Sequence, residues 1–348
     1  MIRAAIAGVG FMGWIHYLAY QRSNKAMLDA FCSRNADKRS GDWTSIKGNF
    51  GPPGEKIPLA GLKVYSDLEE ILQDPDIDLV DICLPPHLHV EAACKALEAG
   101  KHVLCEKPLG LNTEDCDTIL SAAEKSGKKA MVAQVLPYMG EFQFAYQANL
   151  SGEYGKPRRA YLKRVISPPD WIPDFYESGK VGGPLIDLHV HDTHFVRLLF
   201  GMPKRVMCSA EMRDGLVKYC YTLMEFDDPN LAVGTQSGVS DQNGRPFCHG
   251  FEIQFEKAAM QFELAALTDG VDTMPLKILG QNGDCSKPDL PEGGDEVDAF
   301  VAEIDGAVDS IIGDSIEPRL DGKIARDAIH ICQCLQKSAE LGEWVSCS

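Results

Sequence analysis

The chain has 348 residues, 45% hydrophobic and 24% charged, an ordinary globular composition on a length that calls for two domains rather than one core. With 34 Lys and Arg against 51 Asp and Glu, the net charge of −17 disfavours a sequence-independent grip on nucleic acid or on an anionic membrane, and it points to small-molecule partners. No apolar run approaches the roughly 20 residues of a membrane span and no signal-peptide pattern precedes the first strand, so a cytoplasmic protein is expected. The 12 cysteines are scattered through apolar runs and read as reduced and buried.

Met1 to Ala7 is a short apolar run, and Gly8-Val9-Gly10-Phe11-Met12-Gly13 follows it directly. This is G-x-G-x-x-G where a strand turns into a helix. Gly8 can take the tight turn, Gly10 lets a pyrophosphate approach the backbone, and Gly13 lets the helix pack on the strand. The helix opening near Phe11 would aim its free N–H groups and positive dipole end at the phosphates. Met27 to Cys32 reads as the second strand. An acidic residue at its end would hold the ribose 2′-hydroxyl of NAD, but this chain has Ser33-Arg34, with Lys38 and Arg39 beyond, a set that suits a 2′-phosphate. NADP is therefore favoured over NAD.

Residues Ser40 to Leu62 are dense in Gly, Pro, Asn and Asp and read as an excursion over the surface. Lys63 to Tyr65 resumes a strand, and Asp67 caps a helix running through Leu72. Asp78 to Leu84 is a strand that runs into Pro85-Pro86-His87-Leu88-His89. Val90 to Glu98 is helical and stops before Gly100. His102 to Cys105 is a strand ended by Glu106-Lys107-Pro108-Leu109-Gly110. Thr113 to Ser126 is a helix capped by Asn112 or Thr113, and Lys129 to Val135 closes the sheet. This alternation predicts an α/β, doubly wound parallel sheet over 1–136, with ligands at the carboxyl ends of its strands.

Residues 137–348 read as a second, α+β domain on an open, mainly antiparallel sheet. Tyr138 to Leu150 looks helical and Arg158 to Ile166 a strand, and Ser167-Pro168-Pro169-Asp170-Trp171 is a rigid loop. Met207 to Met212, Lys218 to Phe226, Ala232 to Ser240 and Phe251 to Leu264 alternate as antiparallel strands do. Lys323 to Leu341 is a closing helix. Its Cys332-x-Cys334 faces apart at i and i+2, which argues against a metal or redox pair.

Pro184 and Gly201 bracket a helix from Leu185 to Phe200. At 100° per residue, Asp187, His191 and His194 share roughly a 60° arc while His189 points nearly opposite. His189, His191 and His194 therefore cannot close on one metal, and no metal site is expected.

Four stretches, in both halves, carry a resemblance to the Gfo/Idh/MocA oxidoreductase family: Gly8 to Gly13, Pro85 to His89, Glu106 to Leu109, and Gly182-Gly183-Pro184-Leu185-Ile186-Asp187-Leu188-His189-Val190-His191. The family's usual Thr-Pro-Asn-x-x-His is here Leu84-Pro85-Pro86-His87-Leu88-His89, two polar side chains fewer. The resemblance implies a lysine, an aspartate and a histidine around a reacting hydroxyl, here Lys107, Asp187 and His191. It also implies cofactor contacts from Gly8, Gly10, Phe11, Met12, Gly13, Ser33, Arg34, Leu84, Pro85, His89, Glu106 and Lys107, and a Lys107-Pro108 bond that is often cis in relatives. His194, Tyr138, Arg164 and Trp171 are further candidates for the substrate. The expected activity is hydride transfer between a nicotinamide and a secondary alcohol or ketone of a sugar, inositol or sugar derivative. The alternative is a glycoside hydrolase or epimerase that uses its nucleotide transiently. Relatives pair through the outer face of the second sheet, which implies a homodimer or homotetramer.

Overall fold

The computed structural model describes residues 1–48, 50–169, 172, 174–290 and 295–347. The chain divides into two compact units, Met1–Met139 with Gly293–Arg326, and Gly140–Glu292 with Asp327–Ser348.

The first unit alternates strand and helix: β1 (Ile2–Ala7), α1 (Phe11–Arg22), β2 (Ala26–Cys32), α2 (Ala36–Arg39), β3 (Lys63–Tyr65), α3 (Leu68–Gln73), β4 (Leu79–Ile82), α4 (His89–Glu98), β5 (His102–Glu106), α5 (Thr113–Ser126) and β6 (Ala130–Ala133). Its six strands lie parallel in the order β3-β2-β1-β4-β5-β6. Every residue of β4 and β6 is buried, which is why these strands read as unbroken apolar runs. Strand order reverses between β1 and β4, and this switch point is where an open α/β sheet leaves a crevice for ligand. Asp67 caps α3 by accepting the Glu70 N–H, and Asn112 caps α5 by accepting the Asp115 N–H.

The excursion after β2 is less superficial than its composition suggested. Trp43, Ile46 and Ile57 are buried, and the Trp43 ring packs edge-on against Trp14, Tyr17 and Phe31 at 5.1 to 6.1 Å. Glycine and proline density marks the turns correctly but hides three apolar anchors that find their core only in three dimensions.

The second unit comprises α6 (Gly140–Ser151), β7 (Pro157–Ile166), a π-helical turn (Leu185–His189), α7 (Val190–Phe200), and the strands β8 (Arg205–Arg213), β9 (Leu216–Glu225), β10 (Ala232–Val239), β11 (Phe247–Phe255), β12 (Ala258–Leu267), β13 (Gly270–Gly280), β14 (Cys285–Ser286) and β15 (Val345–Ser346). They form a nine-stranded sheet ordered β14-β13-β12-β11-β7-β10-β9-β8-β15, antiparallel except where β7 meets β10. The single strand read over Phe251 to Leu264 is two, folded so that Phe251 faces Phe262. The polar Glu256-Lys257 pair makes the turn. Pro275 obscured β13 in the sequence. It sits at a register shift opposite Gln261 to Glu263, a place where a missing N–H costs little.

Two long helices finish the chain, α8 (Glu296–Ile312) and α9 (Gly322–Leu341). The sequence reading did not anticipate α8. Its Val297, Phe300, Ile304, Ala307 and Val308 join the core of the first unit, so Gly293–Arg326 belongs with that unit rather than within 137–348.

Candidate functional site

The glycine turn of the first unit is built by steric necessity. Gly8 has φ 105°, and a Cβ there would lie 2.8 Å from the Cys83 carbonyl oxygen. A Cβ on Gly13 would stand 2.2 Å from the Gly8 carbonyl oxygen, so only glycine lets α1 start this close to β1. Gly10 differs: nothing lies within 4 Å of a Cβ placed on it, so its backbone faces open space. It is also the N-cap of α1, with no side chain capping the helix and no acidic residue in the first turn. The N–H groups of the first turn are thus left for an external anion. A dinucleotide pyrophosphate fits this cradle.

A cleft of about 500 Å³ opens beside it, within the size range of small-molecule sites. Gly8, Gly10, Ser33, Arg34, Leu84 and Pro85 line it, with Asp67, Glu69 and Lys95 also on its walls. Lys38 donates from Nζ to the Val9 carbonyl, bracing the glycine turn. Arg39 donates to the Ser33 carbonyl at 2.8 Å. Arg34 is exposed. Phe11, Met12, Gly13, His89, Glu106 and Lys107 are outside this lining.

His89 is a correction to the expected cofactor contacts. It is wholly buried, with Nδ1 2.8 Å from the Pro108 carbonyl and Nε2 2.8 Å from the Leu84 carbonyl. It ties the loop after β4 to the loop after β5 and meets no open space. Burial lowers its proton affinity, a trend the two carbonyls only partly offset. The Lys107–Pro108 bond is cis. Glu106 is buried, and its Oε2 accepts the Lys107 backbone N–H at 3.0 Å. Lys107 itself is partly exposed.

In the second unit the helix expected from Leu185 to Phe200 begins as a π-helical turn, Leu185–His189, before α7. The wider turn invalidates the 100° spacing used to place Asp187, because i→i+5 bonding gives more residues per turn than 3.6. What separates these side chains is burial. Asp187 and His191 are partly exposed, whereas His189, Asp192 and His194 are buried. His189 Nε2 lies 3.1 Å from the Thr235 hydroxyl, which lies 2.6 Å from that of Thr222. Asp192 meets Arg164 through two contacts of 3.0 and 3.2 Å. Burial, the largest single influence, would raise its pKa, but Arg164 and His189 together outweigh it and hold the carboxyl below its ordinary value.

Three candidates for the substrate are placed away from open space. His194 has no exposed surface and neither ring nitrogen has a hydrogen-bond partner among the described residues. Burial, with a smaller contribution from Arg197, drops its pKa to about 3. Arg164 is occupied by Asp192. Tyr138 is buried in the first unit, its hydroxyl 3.1 Å from Glu317 and its ring under the Arg319 guanidinium at 3.9 Å. Trp171 lies outside the described residues. Cys332 Sγ donates to the Leu185 carbonyl and Cys334 Sγ to that of Ser346, so the two cysteines serve different neighbours.

Both halves of the chain match known proteins. Residues 2–134 match the model of an oxidoreductase family with an NAD-binding Rossmann fold, and residues 142–261 match the Gfo/Idh/MocA C-terminal domain. The chain is 27% identical to myo-inositol 2-dehydrogenase of Thermotoga maritima over 81% of this chain and 80% of that protein. It is 28% identical to D-glucoside 3-dehydrogenase of Escherichia coli over 67% and 64%. An uncharacterized oxidoreductase of Rhizobium meliloti is 35% identical, but over only 42% of this chain and 45% of that protein. Among solved structures, levoglucosan dehydrogenase in complex with NADH and L-sorbose superposes with a TM-score of 0.80 at 20% identity, over 100% of this chain and 99% of the other. With both of its halves matched, this chain belongs to the Gfo/Idh/MocA family of NAD-binding oxidoreductases.

Proposed function

We propose that the protein transfers a hydride between a bound nicotinamide dinucleotide and a secondary alcohol or ketone of a sugar, inositol or sugar derivative. The reading rests first on the open N-terminus of α1 at Gly10, a cradle that a Cβ would fill. The dinucleotide, when bound there, supplies the hydride acceptor or donor. His191 takes the proton from the substrate hydroxyl as the carbinol is oxidised, the task of a positioned general base. Lys107 stabilises the developing alkoxide, and Asp187 accepts hydrogen bonds from neighbouring hydroxyls. Selective exposure supports these roles. Of the aspartates and histidines between Leu185 and Phe200, only Asp187 and His191 are not buried.

Steady-state rates with a panel of sugars and inositols, read as NAD(P)H formation against pH, test the proposal. His191→Ala should bind cofactor as wild type does but turn over about 10²–10⁴-fold more slowly, and the fall in rate expected of wild type on the acid side should vanish. Lys107→Met should also cut turnover. Near-wild-type rate and profile in His191→Ala would remove the assignment. Hydrolysis or epimerisation without accumulating NAD(P)H would replace the reaction class.

For the cofactor, Ser33 and Arg34 on the cleft wall favour NADP. Arg34→Ala should weaken NADPH selectively, and equal affinities unchanged by the substitution would overturn this. A homodimer or homotetramer through the second sheet is supported by Tyr161, Tyr221 and Leu223, each at least 40% exposed, an apolar patch unlike the rest of this acidic chain. Analytical ultracentrifugation decides it.

A further inference from the structure

His16 sits on α1, three residues past Gly13, and it has no exposed surface. Its Nδ1 is 2.7 Å from Asp81 Oδ2 and its Nε2 is 3.1 Å from Glu106 Oε1. The second oxygen of each carboxylate is also engaged. Cys83 Sγ donates to Asp81 Oδ1 at 3.6 Å, and the Lys107 backbone N–H donates to Glu106 Oε2. An ionised carboxylate only accepts hydrogen bonds, so with Asp81 and Glu106 both ionised the imidazole between them carries both protons. Around the ring stand Asp81 and Cys83 from the end of β4, Glu106 from β5, and Phe300 and Glu303 from α8, with Tyr20 of α1 next to Asp81.

The surrounding groups agree with this count. Burial is the largest influence and works against a charged ring, but Asp81 and Cys83 together, through charge and hydrogen bonding, outweigh it and push the pKa of His16 well above the ordinary value. Glu303 is the third carboxyl of the cluster, wholly buried and without a hydrogen-bond partner for either oxygen among the described residues. Burial, reinforced by Glu106 and Asp81 and opposed by the His16 and Arg319 charges, raises its pKa well above the ordinary carboxyl value. Donor atoms of His16, Asp81 and Cys83 all lie within 4.8 Å of one another. However, 2.7 Å is a hydrogen-bond separation, whereas two ligands each about 2.0 Å from a tetrahedral zinc stand roughly 3.3 Å apart.

We propose that His16 is a positioning residue: clamped between Asp81 and Glu106, it fixes the carboxylate that holds the Lys107 amide, and so couples the phosphate-binding helix to the residue that meets the reacting oxygen. The inference rests on the role of Lys107 proposed above. The same helix supplies the Gly10 cradle at its start and the clamp at His16, six residues on, so a shift in one is felt at the other.

Two measurements on the full chain with NADPH bound test it. In the first, ¹⁵N spectra of histidine-labelled protein, with His16 assigned by its loss in His16→Gln, should show both ring nitrogens protonated at pH 7 and a neutral ring in Asp81→Asn. A neutral His16 in wild type at pH 7 overturns the proposal. In the second, His16→Gln should lower kcat about tenfold with the NADPH Kd within threefold, and the same substitution should cost nothing further in a Lys107→Met background. A purely structural role would give the same loss in both backgrounds, which overturns the proposal, as would a loss confined to Kd. Should His16→Gln fail to fold, Glu106→Gln replaces it, with the same expected dependence on Lys107. If wild type turns over no sugar or polyol, the proposed function falls while the spectra still decide whether the clamp exists.

Discussion

His16 in the first unit and His194 in the second are equally buried, yet their surroundings are opposite. His16 lies between two carboxylates and holds its proton. His194 has no hydrogen-bond partner among the described residues and sheds its proton down to about pH 3. His249, close to the Phe142 and Phe262 rings at 5.4 and 5.6 Å, behaves like His194, with burial and the nearby Arg164 charge also lowering its pKa to about 3. The difference teaches that burial does not set the charge of a histidine. What sets it is whether an anion is buried with it.

The largest effect expected in the second unit comes from its own buried ion pair. Arg164→Met leaves the Asp192 charge stranded at 1% exposure and should cost roughly 3–5 kcal/mol in denaturant unfolding. Arg164→Met combined with Asp192→Leu should recover most of that. If the double variant is as unstable as the single, the pair is not what holds β7 to α7.

A smaller effect follows from linkage, and its sign differs between the units. His194 and His249 are neutral when folded but would bind protons near pH 6.5 when unfolded, so stability is lost as pH falls below about 6.5 and continues to fall toward 3. Each contributes at most about 1.4 kcal/mol per pH unit over that window. His16 is the reverse case. Its contribution is fully present below about 6.5 and is lost as pH rises through its elevated folded value. Hydrogen exchange resolved by segment should therefore show α7 and β11 loosening from the acid side and α1 from the alkaline side. His194→Leu should lose less stability than wild type between pH 6.5 and 5. An identical loss would mean that His194 is not neutral in the folded protein.

The smallest effect concerns His189. Its ring bonds Thr235 on β10 rather than facing the exposed side of the helix, so His189→Ala should leave turnover within roughly fivefold while lowering the melting temperature. Loss of turnover equal to that of His191→Ala would break the separation between buried and exposed histidines on which the site assignment stands.

Much of the first unit was legible because its signals are local. A glycine with positive φ, a cap such as Asp67 or Asn112, and an apolar strand buried on both faces each follow from a few consecutive residues, and the three glycines of the turn carry their reason with them. The second unit resisted where the cause was distant. The π-helical turn at Leu185–His189 depends on how that segment packs, and no 3.6-residue period announces it. Candidate residues Arg164 and His194 pointed to a ligand by type, but Arg164 is satisfied by Asp192 and His194 is enclosed by the core. His16 went unremarked because one histidine on an apolar helix gives no signal until β4 and β5 bring Asp81 and Glu106, 65 and 90 residues away, to its two nitrogens.

The sequence by itself determined the alternation of elements, the glycine turn and the family, because backbone sterics and hydrophobic period act over short stretches of chain. Only the tertiary structure decided which titratable side chains stay open, which are neutral and which are charged. Those properties depend on desolvation and on partner charges that the fold, not the order of residues, brings within a few ångströms.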